Sequence, residues 1–196
     1  MLDLSRYKGI VFDMDGTIID SMGTHSIAWR KTCEKYGYPF DADYLYGLGG
    51  VPTNEIVKLL NEKHHMSHNP DEVAVFKRET FNQLKDKPVV IEDTFEVMQR
   101  YQGKLKMGVG TGADRSNAMT LLTDSGLLER LETVVTSSDV TYGKPHGETF
   151  ITVATNMGLE PSDCVVFEDT EIGRLAAKNA GMDCIMVVNG KIELPL

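Results

Sequence analysis

The run Gly9-Ile10-Val11-Phe12 is apolar throughout, and it is followed at once by Asp13-Met14-Asp15-Gly16-Thr17. No buried strand tolerates that pair of acids, so the pattern predicts a strand over 9–12 ending in a polar turn. Leu105, Met107 and Val109 alternate with polar or small neighbours and predict a second strand, broken at Gly110-Thr111-Gly112. Val134-Val135, 164–167 and 184–188 read as three more, the fourth strand ending in Glu168-Asp169. Between them, helical periodicity covers 93–101, 114–125, 148–157 and 171–180, with Gly126, Gly158 and Gly181 placed as stops. Strands that alternate with helices imply a parallel sheet covered on both faces.

From Asp20 to about Lys87 the texture changes to helix alone. Periodicity predicts helices over 25–36 and 53–63, the second opening at Pro52-Thr53. A third opens at Asn69-Pro70-Asp71-Glu72, where a capping side chain, a first-turn proline and two acids coincide. Its apolar positions are Val73, Phe76, Phe81 and Leu84, and nothing in 20–87 reads as a strand. The expectation is a Rossmann-like α/β core formed by 1–18 and 88–196, with 19–87 inserted as a helical cap over the sheet's edge.

Ligands of open parallel sheets bind beyond the carboxyl ends of the strands. Four predicted strands end in, or lead to, reactive groups: Asp13 and Asp15, then Thr111, then Lys144, then Glu168 and Asp169. If they meet, four carboxylates face one lysine. Two like charges ~4 Å apart cost ~4 kcal/mol at an effective dielectric near 20, so the cluster calls for a cation. All-oxygen donors favour Mg²⁺, and Mg²⁺ with a lysine, a hydroxyl and backbone amides suits a phosphate.

Composition narrows the field further. A chain of 196 residues suits one domain, or one domain carrying an insertion. Its 41% hydrophobic content is that of a globular protein, and no apolar run reaches the ~20 residues of a membrane span. The first residues carry an acid and no long apolar core, unlike a signal peptide. A net charge of −9 argues against a nucleic-acid face. Salt screens exposed charges beyond ~8 Å, so that total does not forbid a local phosphate site. Cys33, Cys164 and Cys184 are widely spaced and suit a reducing cytoplasm. The expected partner is a small phosphorylated metabolite, with neither nucleic acid nor membrane, in a monomer or weak oligomer.

Taken together, Asp13-x-Asp15-Gly16-Thr17, Thr111, Lys144-Pro145 and Glu168-Asp169-Thr170-x-x-Gly173 resemble the four motifs of the haloacid dehalogenase superfamily, in order and over nearly the whole chain. The helical insertion resembles a C1-type cap. Asp20-Ser21, His25 and Ala28-Trp29 resemble the β-phosphoglucomutase-like branch. The resemblance implies an aspartyl-phosphate mechanism, with Asp13 as nucleophile and Asp15 as acid and then base. It implies that Thr111, the Gly112 amide and Lys144 hold the phosphoryl group. Asp13, the Asp15 carbonyl, Asp169 and Glu168 are implied for Mg²⁺, and His25 for the leaving group. The cap loop carries Gly49 and Thr53 where a mutase carries two cations, and Gly-x-Pro-Thr looks more like fructose-1-phosphatase or 6-phosphogluconate phosphatase enzymes. A sugar phosphatase is thus expected. The alternatives are a phosphosugar mutase, a receiver-like phosphoacceptor module, or an interaction protein with a decayed site. Glu168 reads equally as a metal ligand or a solvated neighbour, and Trp29 as cap packing or entrance lining. His64, His65 and His68 read as a polar loop more readily than as a metal site.

Overall fold

A computed structural model describes residues 2–84 and 89–193. The central strand is the first one, β1 (Gly9–Phe12), hydrogen-bonded in parallel to β4 (Lys106–Gly110) on one side and β6 (Cys164–Glu168) on the other. Outside them lie β5 (Thr133–Val135) and β7 (Asp183–Val188), with β8 (Lys191–Ile192) beyond β7, and the sheet order is β5-β4-β1-β6-β7-β8. Only β8 runs antiparallel. Phe12 is in register with both Val109 and Phe167, so the ends of β1, β4 and β6 are level. That is what lines up Asp13, Thr111 and Glu168 along one edge.

The strands lack polar alternation because both faces are buried. Ile10 and Phe12 join one apolar cluster with Met107, Val109, Val165 and Phe167, whereas Val11 joins another with Val135, Phe150 and Val166. Helices α5 (Glu92–Tyr101) and α6 (Arg115–Asp124) contribute Val97, Met98, Ala118 and Leu122 to the first. Helices α7 (Glu148–Asn156) and α8 (Glu171–Asn179) contribute Phe150, Val153, Ala176 and Ala177 to the second. Each fully buried valine, isoleucine, leucine, methionine or phenylalanine among them is worth ~1.5–3 kcal/mol.

Between β1 and the rest of the core come four helices: α1 (Met22–Tyr36), α2 (Ala42–Gly47), α3 (Thr53–His64) and α4 (Pro70–Gln83). They bury a cluster of their own around Trp29, Cys33, Leu45, Ile56, Val57, Leu60 and Val73. Phe81, near the end of α4, instead packs into the sheet's core. As the pattern at Asn69 predicts, its carboxamide accepts from the amides of Asp71 and Glu72.

The chain leaves and returns side by side, and β2 (Ile19–Asp20) pairs antiparallel with β3 (Val89–Val90). The ribbon touches the range 20–87, expected to hold no strand, only at Asp20. A two-residue ribbon is too short for periodicity to register, and it forms because the two crossing segments are adjacent. The first helix also begins earlier than expected, at Met22, and α2 was not expected. Asp41 caps that single-turn element through the Tyr44 amide, 3.1 Å away. The expected boundary at 87/88 lies outside the described residues.

Candidate active site

Asp13 follows β1 directly and is 3% exposed. Its amide donates to Phe167 O on β6 at 2.9 Å, which ties the turn to the neighbouring strand. Lys144 comes from the loop between β5 and α7, and its ammonium donates to Asp13 Oδ1 at 2.6 Å and to Glu168 Oε1 at 2.9 Å. All three side chains are almost wholly shielded from solvent. Asp169 completes the group: Asp13, Glu168 and Asp169 each offer a carboxylate oxygen within 4.8 Å of the others.

One ammonium cannot balance three carboxylates in such a place. Burial, reinforced by Glu168 and Asp15 and only partly offset by Lys144, pushes Asp13 up to about 7. Burial, with Asp13 and Glu168, pushes Asp169 up to about 8. Burial disfavours the charge on Lys144, but Asp13 and Glu168 override it and hold the ammonium above the ordinary lysine value. The donor set is all oxygen and its excess charge is negative, which fits a hard divalent cation. Glu168 has further duties: its Oε2 accepts from the Thr170 amide at 2.6 Å and the Thr170 hydroxyl at 2.9 Å. It thereby holds the turn that leads into α8.

Asp15 does not join this trio through its side chain. The turn at Gly16, with φ of +84°, aims the carboxylate toward the helical cluster. There the Ser21 hydroxyl donates to Asp15 Oδ1 at 2.5 Å, and His25 Nε2 lies 3.1 Å from the same oxygen. His25 Nδ1 in turn lies 2.7 Å from Lys77 Nζ. The ammonium donates to Nδ1, so the proton of a neutral imidazole sits on Nε2 and is donated to Asp15. Burial alone would raise Asp15, yet His25, Ser21 and Lys77 bring it below the usual carboxylate range. Burial, together with Lys77, depresses His25. Lys77 itself is 6% exposed and burial brings it down to about 8.

Thr111 and Gly112 follow β4. Thr111 is buried, its amide donating to Val135 O at 2.9 Å and its hydroxyl accepting from the Ala113 amide at 3.1 Å. Gly112 lies against the loop between α2 and α3 so closely that a Cβ would overlap the Gly50 carbonyl. From α2, Tyr46 donates its hydroxyl to Asp169 Oδ2 at 3.2 Å. A cavity of about 240 Å³ opens between sheet edge and helices, lined by Asp13, Asp15, His25, Lys77, Thr111 and Gly112. Trp29 lines it too while belonging to the helices' own cluster, so both readings of that residue hold.

The side chains of Asp13, Lys144, Glu168 and Asp169 therefore meet, Thr111 and Gly112 border the same cavity, and Asp15 and His25 pair beside them. Sequence reasoning missed Lys77 and Tyr46. Lys77 had a signal: it stands four residues from both Val73 and Phe81, on the apolar stripe of α4, where an unpaired lysine is out of place. Tyr46 had none, because α2 itself was invisible. Among the described residues, the three loop histidines form no metal-sized ligand group. His68 stacks edge-on against Tyr36 and Tyr38, while His64 faces Tyr38.

A doubly wound sheet whose strand-end aspartate meets a lysine and two further acids, with helices inserted after its first strand, has the build of an α/β hydrolase with an acidic strand-end site. Residues 10–187 match the family model described as haloacid dehalogenase-like hydrolase, and the chain belongs to that family. It is 37% identical to the fructose-1-phosphate phosphatase YqaB of Escherichia coli K12 over 93% of this chain and 97% of that protein. It is 34% identical to validoxylamine A 7'-phosphate phosphatase of Streptomyces hygroscopicus subsp. limoneus, over 91% and 84%. A crystal structure of β-phosphoglucomutase from Clostridium difficile superimposes with a TM-score of 0.83, covering 91% of this chain and 83% of that one; at 22% identity it shows the shared fold. Among the described residues, no helix is long and apolar enough to cross a membrane.

Proposed function

We propose that the protein is a Mg²⁺-dependent phosphatase that hydrolyses a small sugar phosphate through an aspartyl-phosphate on Asp13. The observation that carries the reading is the buried contact of Asp13 with Lys144 at 2.6 Å, at a strand end, beside two further carboxylates and open to a cavity. The names of the relatives support the substrate class, by the words fructose-1-phosphate, validoxylamine A 7'-phosphate and, for a Thermotoga maritima protein 30% identical to this chain, phosphorylated carbohydrates.

Asp13, Glu168, Asp169 and the carbonyl of Asp15 are the groups that would hold Mg²⁺, which when bound neutralises charge on the transferring phosphoryl group. Lys144 favours the ionised form of Asp13 against its burial and faces the phosphoryl oxygens. Thr111 and the Gly112 amide hold the remaining oxygens. Asp13 forms a bond to phosphorus as the ester P–O bond breaks, and the leaving oxygen takes a proton from Asp15. Asp15 is then ionised, the state its neighbours favour, and removes a proton from the water that attacks phosphorus and frees Asp13. The chain Lys77–His25–Asp15 is a directed hydrogen-bond path that fixes the Asp15 carboxylate for both proton transfers.

The division of labour supports residues 1–18 and 88–196 as the catalytic core and 19–87 as its cap. The helices bury their own cluster, and the β2–β3 ribbon marks where the chain crosses. Three unpaired cysteines support a reducing, cytoplasmic setting. The test is a screen of phosphorylated metabolites and an aryl phosphate with and without Mg²⁺. Phosphate release that requires Mg²⁺ is expected. Steady isomerisation of a hexose phosphate with little release would instead assign a mutase.

A further inference from the structure

Setting aside the buried group around Asp13 and the Asp15–His25–Lys77 chain, the charged residues lining the cavity, among those described, are Asp43, Arg78 and Asp114. Arg78 follows Lys77 on α4. Its Nη1 donates to Asp114 Oδ2 at 3.4 Å, a bridge from the helical insertion to the start of α6. The other oxygen of Asp114 accepts from the Asn117 amide at 3.1 Å, making Asp114 the N-cap of that ten-residue helix. The carboxylate is thus held from two sides.

Two features of this wall would attract an anion: the Arg78 guanidinium and the amino end of α6. Asp114 occupies both. It stands three residues beyond Thr111, so it borders the space next to the phosphoryl site. Asp43 adds a second negative charge on the rim, and among the described residues it makes no ion pair. A leaving group carrying a second phosphate or a carboxylate meets a wall whose attractive positions are already filled by the protein's own carboxylate. Rejecting a competitor by like charge is an economical route to specificity.

We infer that Asp114 is a specificity-determining residue: by holding Arg78 and the amino end of α6, it restricts the leaving group to an uncharged polyol and turns away esters that bear a second anion. This rests on the phosphatase reading and narrows its substrate class, toward the fructose-1-phosphatase resemblance and away from the 6-phosphogluconate one.

The test compares esters that differ in remote charge, glucose 6-phosphate against 6-phosphogluconate and fructose 1-phosphate against fructose 1,6-bisphosphate, by kcat/KM in competition with an aryl phosphate. The wild-type enzyme should favour the neutral member of each pair by about tenfold or more. Asp114→Asn keeps a good N-cap but drops the charge, and should shift both ratios about tenfold toward the charged ester. Adding Arg78→Gln should erase that shift, and Arg78→Gln alone, which leaves Asp114 unpaired, should move the ratios the opposite way. Equal use of both members by the wild type overturns the inference, as does an Asp114→Asn enzyme that changes both members by one common factor. If Asp114→Asn fails to fold, the direction of the Arg78→Gln shift decides. Loss of all aryl-phosphate hydrolysis in the wild type would sink the phosphatase reading and this inference with it. Retained hydrolysis with unmoved ratios sinks the inference alone.

Discussion

The two sides of the cavity handle charge in opposite ways. On the sheet side, one lysine pairs with two buried carboxylates beside a third, partly buried one, and the balance stays negative. On the helical side, Asp15 is answered by Ser21, His25 and Lys77, and that set is nearly self-compensated. The first arrangement is incomplete without a cation and suits binding and transfer of a phosphoryl group. The second is complete as it stands and suits moving a proton. The contrast also locates the coupling between them, because Asp13 and Asp15 are two residues apart yet face different partners across the Gly16 turn.

The largest effect should come from the sheet side. Asp13→Asn is expected to lower Mg²⁺-dependent phosphate release from an aryl phosphate by ~10³-fold or more while leaving the melting temperature equal or higher, since one repelling carboxylate is gone. Wild-type turnover in that variant would refute the nucleophile. Asp15→Ala should cost ~10²–10⁴-fold with a sugar ester and clearly less with an aryl ester, whose leaving group needs little protonation. Equal losses on both substrates would remove the acid role.

On the helical side the effects should be smaller. Lys77→Met removes the charge that helps depress His25, so the imidazole pKa followed by NMR should rise, and kcat/KM for a sugar ester should fall ~10-fold. An unmoved His25 titration would disconnect Lys77 from the chain.

The smallest effect is one of stability. Burial and mutual repulsion push Asp13 up to about 7 and Asp169 up to about 8 in the folded protein, above the ordinary aspartate value of 3.8. The unfolded chain therefore releases these protons first as pH rises, and the metal-free protein should lose stability from about pH 4 to pH 8 and then level off. Saturating Mg²⁺ binds the ionised set, so its gain in melting temperature should grow across the same window, to ~2–4 °C at pH 8. A gain that is independent of pH would show that these carboxylates are not the cation's ligands.

Some of this was readable along the chain because it is local. A strand buried on both faces must be uniformly apolar, so 9–12 and 164–167 announced themselves, and the acids that end them could only lie at the sheet's edge. The cap at Asn69 is equally local, since the side chain reaches amides two and three residues away. Lys77 was half legible, as a charge on an apolar stripe, but its partner His25 is 52 residues distant and no spacing rule joins them. The ribbon β2–β3 and the six-residue α2 left no period to detect.

By itself, then, the chain determined the alternation of strands and helices, the helical character of the insertion and the identity of the groups at the strand ends, because each follows from neighbours within a turn or two. Tertiary structure alone decided which way those groups face. Asp15 turns to His25, Gly112 lies under Gly50, and Arg78 reaches Asp114, because close packing brings together backbones that sequence distance keeps apart, and burial then sets how each charge behaves.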